Sequence, residues 1–269
     1  MTHAPGYDAF YSRFDSPLMQ QLRREAYGQD IGQHSWVTAS ELADDVPRLR
    51  LTRASHLLDL GCGPGGPLTF LVGQVGCRAT GIDLSPPAIA SATTRAEAAG
   101  IGNLIDFRVV NSDEPLPLEA ATLDAIMSID VVLHLHDRTA TLKDVARVLR
   151  PGGRFLFTDA GVLTGPVSND EVASRSIHGF TQFAPMGYNE RVLELAGLRL
   201  LETADRTASL LANAGGRLAS RTSHRAAVEE VEGRDVFEAQ ARYLGTVVAL
   251  AERGAMSRMM YLAERPADG

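Results

Sequence analysis

The chain has only two cysteines, too few for a disulfide framework, and Cys62 and Cys77 form no metal-ligand cluster, so no metal is expected. No apolar run is long enough to span a bilayer. Positive charge is not in excess either. A formal charge of −7 argues against broad attraction to nucleic acid or to an anionic membrane, leaving only a local basic patch open. Internal repeats, low-complexity tracts and a signal peptide are also missing, which with the cysteine count predicts a reduced, cytoplasmic setting. What is present is a chain of 269 residues, long enough to bury a large core as one elaborated domain.

Residues 56–67 read HLLDLGCGPGGP. Leu57, Leu58 and Leu60 predict the end of a buried strand. Gly61, Gly63, Gly65 and Gly66 then allow a sharp turn and close approach to a ligand. Residues 68–75 predict a helix whose N-terminus faces that ligand. Residues 79–83 predict a second strand ending in Asp83, about 20 residues on, where an acid can accept from both hydroxyls of a ribose. A dinucleotide site would space its glycines as G-x-G-x-x-G around a pyrophosphate. Asp59 before the turn would repel a pyrophosphate and suits an ammonium.

This pattern resembles the first motif, D-x-G-x-G-x-G, of the class I S-adenosylmethionine-dependent methyltransferases. That resemblance implies S-adenosylmethionine as the cofactor. It also implies an α/β, Rossmann-like sheet of seven strands, mostly parallel with an antiparallel last strand, under helical N-terminal and C-terminal cover. Residues 1–52 are then a helical lid and 53–162 the cofactor-binding core. Residues 163–269 supply the last strands, with a helical cap inserted at about 205–253.

Other local signals agree with this layout. Tyr7, Phe10, Tyr11 and Phe14 recur at helical spacing. Thr38-Ala39-Ser40-Glu41 matches a capping box. Ser85-Pro86-Pro87 predicts a helix start, with the stop at Gly100. Residues 105–110 predict a third strand followed by Asn111-Ser112-Asp113, where either Ser112 or Asp113 fits the adenine-contacting position implied by the resemblance. Residues 123–128 predict a fourth strand and 139–149 a helix. Leu149 and the Arg150–Gly153 turn match a second family landmark before a fifth strand ending at Asp159. A helix over 190–196, a sixth strand over 198–202, two or three helices over 207–253 and a last strand over 256–264 complete the chain. Arg206, Arg217, Arg221 and Arg225 are expected mainly on a solvated face, with one or two available to a substrate anion.

Two segments are similar to phosphoethanolamine methyltransferases and related small-molecule N-methyltransferases. One is Tyr27-Gly28-Gln29-Asp30, opening a segment to Trp36 that is expected to close over the cofactor. The other is Asp130-Val131-Val132-Leu133-His134-Leu135, which matches their D-x-x-L-H-L. The phosphate-binding arginines of those enzymes are absent before the helix at Glu190, which argues against a phosphobase. Arg175, Gly187-Tyr188-Asn189-Glu190 and Asp205-Arg206-Thr207 are similar to actinobacterial methyltransferases of secondary metabolism.

The expected cofactor-binding residues are therefore Tyr27, Ser35, Trp36, Asp59, Gly61, Cys62, Gly63, Asp83, Leu84, Ser112, Asp113 and Asp130. Cys62 is read as a small tolerated side chain in the turn. His134 is the expected base or orienting group for the acceptor, with Asp130 one helical turn before it and an N-terminal tyrosine, Tyr11 or Tyr7, beside it. His136 is expected to point elsewhere. Three functions stay open: methyl transfer to a small molecule, methyl transfer to a macromolecule, and cofactor binding without transfer, as in a cyclase or regulator. Charge and helical cover favour the first. A homodimer is compatible with the sequence, which names neither the acceptor nor its nucleophilic atom.

Overall fold

The computed structural model describes residues 5–267, with side chains from Tyr7 onward. Among the described residues, three α-helices and a 3-10 turn (Val46–Leu49) precede the sheet, the α-helices being α1 (Pro5–Tyr11), α2 (Pro17–Tyr27) and α3 (Ala39–Asp45). Thr38 caps α3 by accepting from the Glu41 backbone N–H at 3.1 Å. The other half of the capping box does not form, because the Glu41 carboxylate turns away to accept from Arg258 Nη1 at 2.6 Å.

The alternation then begins with β1 (His56–Leu60), α4 (Gly66–Val75), β2 (Arg78–Asp83), α5 (Pro86–Ala98) and β3 (Ile105–Val109). It continues with β4 (Leu123–Ile129), α6 (Arg138–Val148), β5 (Leu149–Leu163), α7 (Asn169–Arg175) and a two-residue β6 (Ala184–Pro185). After these come α8 (Tyr188–Leu195), β7 (Arg199–Asp205), α9 (Thr207–Ser223), α10 (Arg225–Glu232), α11 (Arg234–Glu252) and β8 (Met256–Glu264).

The sheet order is β3-β2-β1-β4-β5-β8-β7, with β6 paired off this path to β5. β8 runs antiparallel to β5 and β7, and the pairs from β3 through β5 are parallel. The strand order reverses between β1 and β4, which opens a crevice beyond their carboxyl ends. Alternate side chains along each strand feed two core layers. Leu58, Ile126, Phe155 and Phe157 pack with α6 and α8 on one face. Leu57, Ala125, Met127 and Leu156 pack with α3 and α4 on the other. A fully buried aliphatic or aromatic side chain of this kind contributes about 1.5–3 kcal/mol.

Two expectations about β5 need correction. Asp159 does not end the strand, which runs on to Leu163 and pairs there with β6 and β8. Its carboxylate is fully buried and takes Arg138 Nη1 at 2.9 Å, Asn189 Nδ2 at 2.9 Å and the Gly161 N–H at 2.8 Å. Arg150–Gly153 is a bulge within β5, where Leu123 faces Leu149 and Ala125 already faces Arg154. Gly152 sits in the left-handed region there, at φ 78°.

Helical cover comes from both ends of the chain. Trp36 packs with Leu210 and Ala214 of α9 and with Tyr243, Leu244 and Val247 of α11. Met19 and Leu22 of α2 pack with Val228 and Phe237. Among the described residues, no helix is long and apolar enough to cross a membrane.

Candidate active site

A cavity of about 620 Å3 lies beyond the carboxyl ends of β1, β2 and β4. Gly61, Cys62 and Gly63 line its floor, and the turn's geometry explains its composition. Gly61 has φ 77°, and a Cβ there would meet Val131 Cγ2 at 2.5 Å. At Gly66 a Cβ would meet the Gly32 carbonyl at 2.3 Å, so this glycine lets the 28–36 loop lie directly on the start of α4. Burial, with Asp59 and Asp83 nearby, pushes the Cys62 thiol well up, leaving it an unreactive small side chain.

Asp59 is 2% exposed and lines the cavity. Among the described residues, none donates a hydrogen bond to its carboxylate and none forms an ion pair with it. Burial, reinforced by the charge of Asp83, holds it well above the usual carboxylate range. Such a group calls for a cation. Asp83 differs. Its oxygens accept the N–H groups of Gly63 at 2.8 Å and Ser85 at 2.9 Å, which fixes the carboxylate in the cavity wall while lone pairs remain for a ligand. Burial raises this group too, against the lowering effect of those N–H groups.

Leu84, Asn111, Ser112 and Asp113 line the next part of the wall. The Asp113 carboxylate takes the His136 N–H at 2.8 Å and stands 2.6 Å from His136 Nδ1. The Ser112 carbonyl accepts from Thr141 Oγ1 at 3.2 Å. His136 therefore does not point away as expected. It lines the same cavity, stacked on Phe180 with centroids 4.2 Å apart.

The 28–36 loop closes one side. Ser35 and Trp36 line the cavity, and the Ser35 hydroxyl is buried without a partner among the described residues. Tyr27 stands behind the loop and donates its hydroxyl to the Ser35 carbonyl at 2.9 Å; it is absent from the cavity wall. Asp130 lines the cavity but anchors this loop. It accepts from the Trp36 N–H at 2.8 Å, Thr158 Oγ1 at 2.7 Å and Arg258 Nε at 2.8 Å. Arg258, fully buried, thus ties α3, β4 and β8 together beneath the loop.

Asp130 and His134 do not share a helical face. Asp130 sits in the left-handed region at φ 60°, and only a short 3-10 turn, Val132–His134, follows. His134 is oriented instead by the Phe180 carbonyl, 2.9 Å from Nδ1. A carbonyl only accepts, so Nδ1 carries the proton and Nε2 accepts from the Tyr7 hydroxyl at 3.1 Å. Burial lowers the His134 pKa, so the ring is neutral at neutral pH. The tyrosine beside His134 is Tyr7. Tyr11 stands 3.4 Å from His34 Nδ1 and lines the cavity over Gly63.

Several wall residues carried no local sequence signal. His34 and His178 are held low by burial, His178 at about 3, with Arg217 next in effect. His178 stacks on Tyr7 and meets Tyr243 edge-on. Of the four arginines expected mainly on a solvated face, Arg217 lies over Trp36 and lines the cavity. Arg221 is buried against Glu232. Arg206 pairs with Asp45, and Arg225 with Glu229 and Glu238.

A family model described as a methyltransferase domain matches residues 58–157, which hold the glycine turn, both acids and His134. An Aspergillus nomiae protein named O-methyltransferase rstn1 is 32% identical over 165 residues, covering 59% of this chain and 70% of that protein. The chain belongs to the class I S-adenosylmethionine-dependent methyltransferases. Methyltransferase GfsG of Streptomyces halstedii is 31% identical over 164 residues, 59% of this chain and 58% of that protein. The match spans about three fifths of the length of the first curated relatives. The cyclopropane synthase MmaA2 of Mycobacterium tuberculosis shares the fold at a TM-score of 0.83 and 16% identity, covering 97% of this methyltransferase and 98% of that chain.

Proposed function

We propose that this methyltransferase transfers a methyl group from S-adenosylmethionine to a hydroxyl of a small molecule, in secondary metabolism and in the cytoplasm. The observation that carries the proposal is Asp59, a buried carboxylate without a partner among the described residues, on the wall of a cavity of about 620 Å3. The donor set fits this cofactor. Asp59 suits its ammonium, Asp83 its ribose hydroxyls, the unpartnered Ser35 hydroxyl a further polar group, and Leu84 with Ser112 or Asp113 its adenine. When bound, the cofactor supplies a methyl group on a sulfonium, whose neutral leaving group needs little help from the protein. The chain's own residues position the acceptor and exclude water.

His134 is the residue placed to take the hydroxyl proton. Its Nε2 presents a lone pair in the cavity, and its Nδ1–H is locked on the Phe180 carbonyl. Tyr7 holds that lone pair until an acceptor replaces it. General-base help of this kind is worth about 10²–10⁴-fold. The domain reading that goes with this proposal has residues 1–52 as lid, 53–162 as the cofactor core and the helices after β7 as acceptor cover.

Incubation with methyl-labelled S-adenosylmethionine and a metabolite extract tests the reading. Label in a small organic product, at oxygen, is the expected outcome. Label in protein or RNA would reassign the acceptor, and tight binding without transfer would reassign the protein to a non-transferring role.

A further inference from the structure

Arg175 ends α7 and lines the cavity at 4% exposure. Its Nη2 donates to the Ala160 carbonyl at 3.0 Å, and among the described residues its buried Nε has no partner. The guanidinium lies 5.2 Å from the Tyr243 ring centroid. Arg217 reaches the same cavity from α9, half-buried, with long contacts of 3.4 and 3.5 Å to His34. Among the described residues, no carboxylate pairs with either arginine, whereas Arg138, Arg221 and Arg258, the other deeply buried arginines around the site, all have one. A guanidinium held out of water without a counter-ion is costly. Neither neighbouring histidine can supply a negative charge.

We infer that Arg175 and Arg217 form a carboxylate-binding subsite, so that the acceptor is a small carboxylic acid. This deepens the methyltransferase reading and rests on it. The sheet supplies the spacing. Ala160, which Arg175 grips, lies on β5, two strands from Asp59 on β1 and three from Asp83 on β2. At strand spacing that is roughly 10 and 14 Å across the sheet. His134 follows β4, between the two groups. The acids serve the cofactor at one end, the arginines hold the acceptor's carboxylate at the other, and His134 with Tyr7 stands between them at the nucleophile. The field of Arg175 is felt at Tyr7, His134 and His178, so the subsite acts on the groups around the nucleophile. Tyr7, Tyr243, Phe180, Ile177 and Leu133 give the rest of this half an aromatic and apolar lining. A carboxylate matches the planar fork of an arginine.

The test is binding to the full chain, free and loaded with S-adenosylhomocysteine. Benzoate, 4-hydroxybenzoate and hexanoate are titrated beside their neutral amides and inorganic phosphate. The expected result is saturable binding of at least one carboxylate, about ten- to a hundredfold tighter than its amide, the scale of a charge-assisted hydrogen bond. Arg175→Met should abolish that preference and Arg175→Lys should restore part of it, with S-adenosylhomocysteine affinity kept. Arg217→Met, at a half-buried position, should weaken the preference if Arg175→Met does not fold. Equal binding of acid and amide, a preference that survives in both methionine variants, no binding by any carboxylate, or tighter binding of phosphate than of every carboxylate would overturn the assignment. Failure of S-adenosylhomocysteine to bind the unmodified protein would instead strike the methyltransferase reading, while the acid titrations on the free protein would still decide the subsite.

Discussion

Replacing Asp59 with asparagine should stabilise the free protein and weaken its hold on the cofactor. The two effects have one cause. In the free protein the carboxylate is buried, lacks a partner and feels Asp83, so its ionised form is disfavoured. A folded pKa above the unfolded one means that this group's contribution to stability is present below the usual carboxylate range and is lost as pH rises through the raised value. At neutral pH the protein carries that cost, about 1.4 kcal/mol for each unit of elevation. Asparagine keeps the shape and removes the charge. Each kcal/mol recovered corresponds to about 2–4 °C in Tm for a chain near this size. The same change deletes the counter-charge of the bound ammonium, a loss of about 2–5 kcal/mol for a buried pair, or about thirtyfold or more in affinity. Differential scanning calorimetry of the free protein and isothermal titration with S-adenosylhomocysteine, which keeps the ammonium, measure the two sides. The unmodified protein should also bind more tightly as pH rises toward neutrality, by up to about tenfold per unit while Asp59 must lose a proton, and Asp59→Asn should flatten that slope. An Asp59→Asn variant with unchanged Tm, unchanged affinity and the original slope would refute the idea that Asp59 is an uncompensated charge waiting for a cation.

Asp83→Ala should weaken S-adenosylhomocysteine by about tenfold or more, through loss of charge-assisted hydrogen bonds worth about 1.5–3 kcal/mol each, and calorimetry reads this directly. His134→Ala should lower single-turnover methyl transfer by about two orders of magnitude with cofactor affinity nearly intact, and the rate of the unmodified enzyme should fall only below the ordinary histidine range, because burial lowers this pKa; equal minor losses in His134→Ala and His136→Ala would make His134 structural. Arg258→Met strands Asp130 and Glu41 without their buried partner and should cost about 3–5 kcal/mol in denaturant unfolding, with hydrogen exchange in residues 28–36 rising ahead of the β1 and β4 core.

Local chemistry alone was enough for the cofactor half of the fold. Strands β1 and β2, the glycine turn between β1 and α4, and the acids Asp59 and Asp83 follow from short-range rules: an apolar run, glycines at a reversal, an acid at the next strand's end. The start of α5 at Ser85 and the final strand are legible for the same reason, while the antiparallel direction of that strand came from the family resemblance. His134 was legible from its place after the fourth strand, but its partner was not. Asp130 lies four positions away in sequence, yet the chain enters the left-handed region at Asp130, so its carboxylate goes to Arg258 and Trp36 while the Phe180 carbonyl orients the imidazole. Tyr7 rather than Tyr11 meets His134, a choice made by how α1 packs against α5. The half of the cavity proposed to take the acceptor depended most on tertiary structure. Arg175 from α7, Arg217 from α9 and Tyr243 from α11 lie on three separate helices between residues 175 and 243, and no local spacing links them. Their meeting in one cavity depends on the packing of the cover helices with Trp36, which no local pattern encodes.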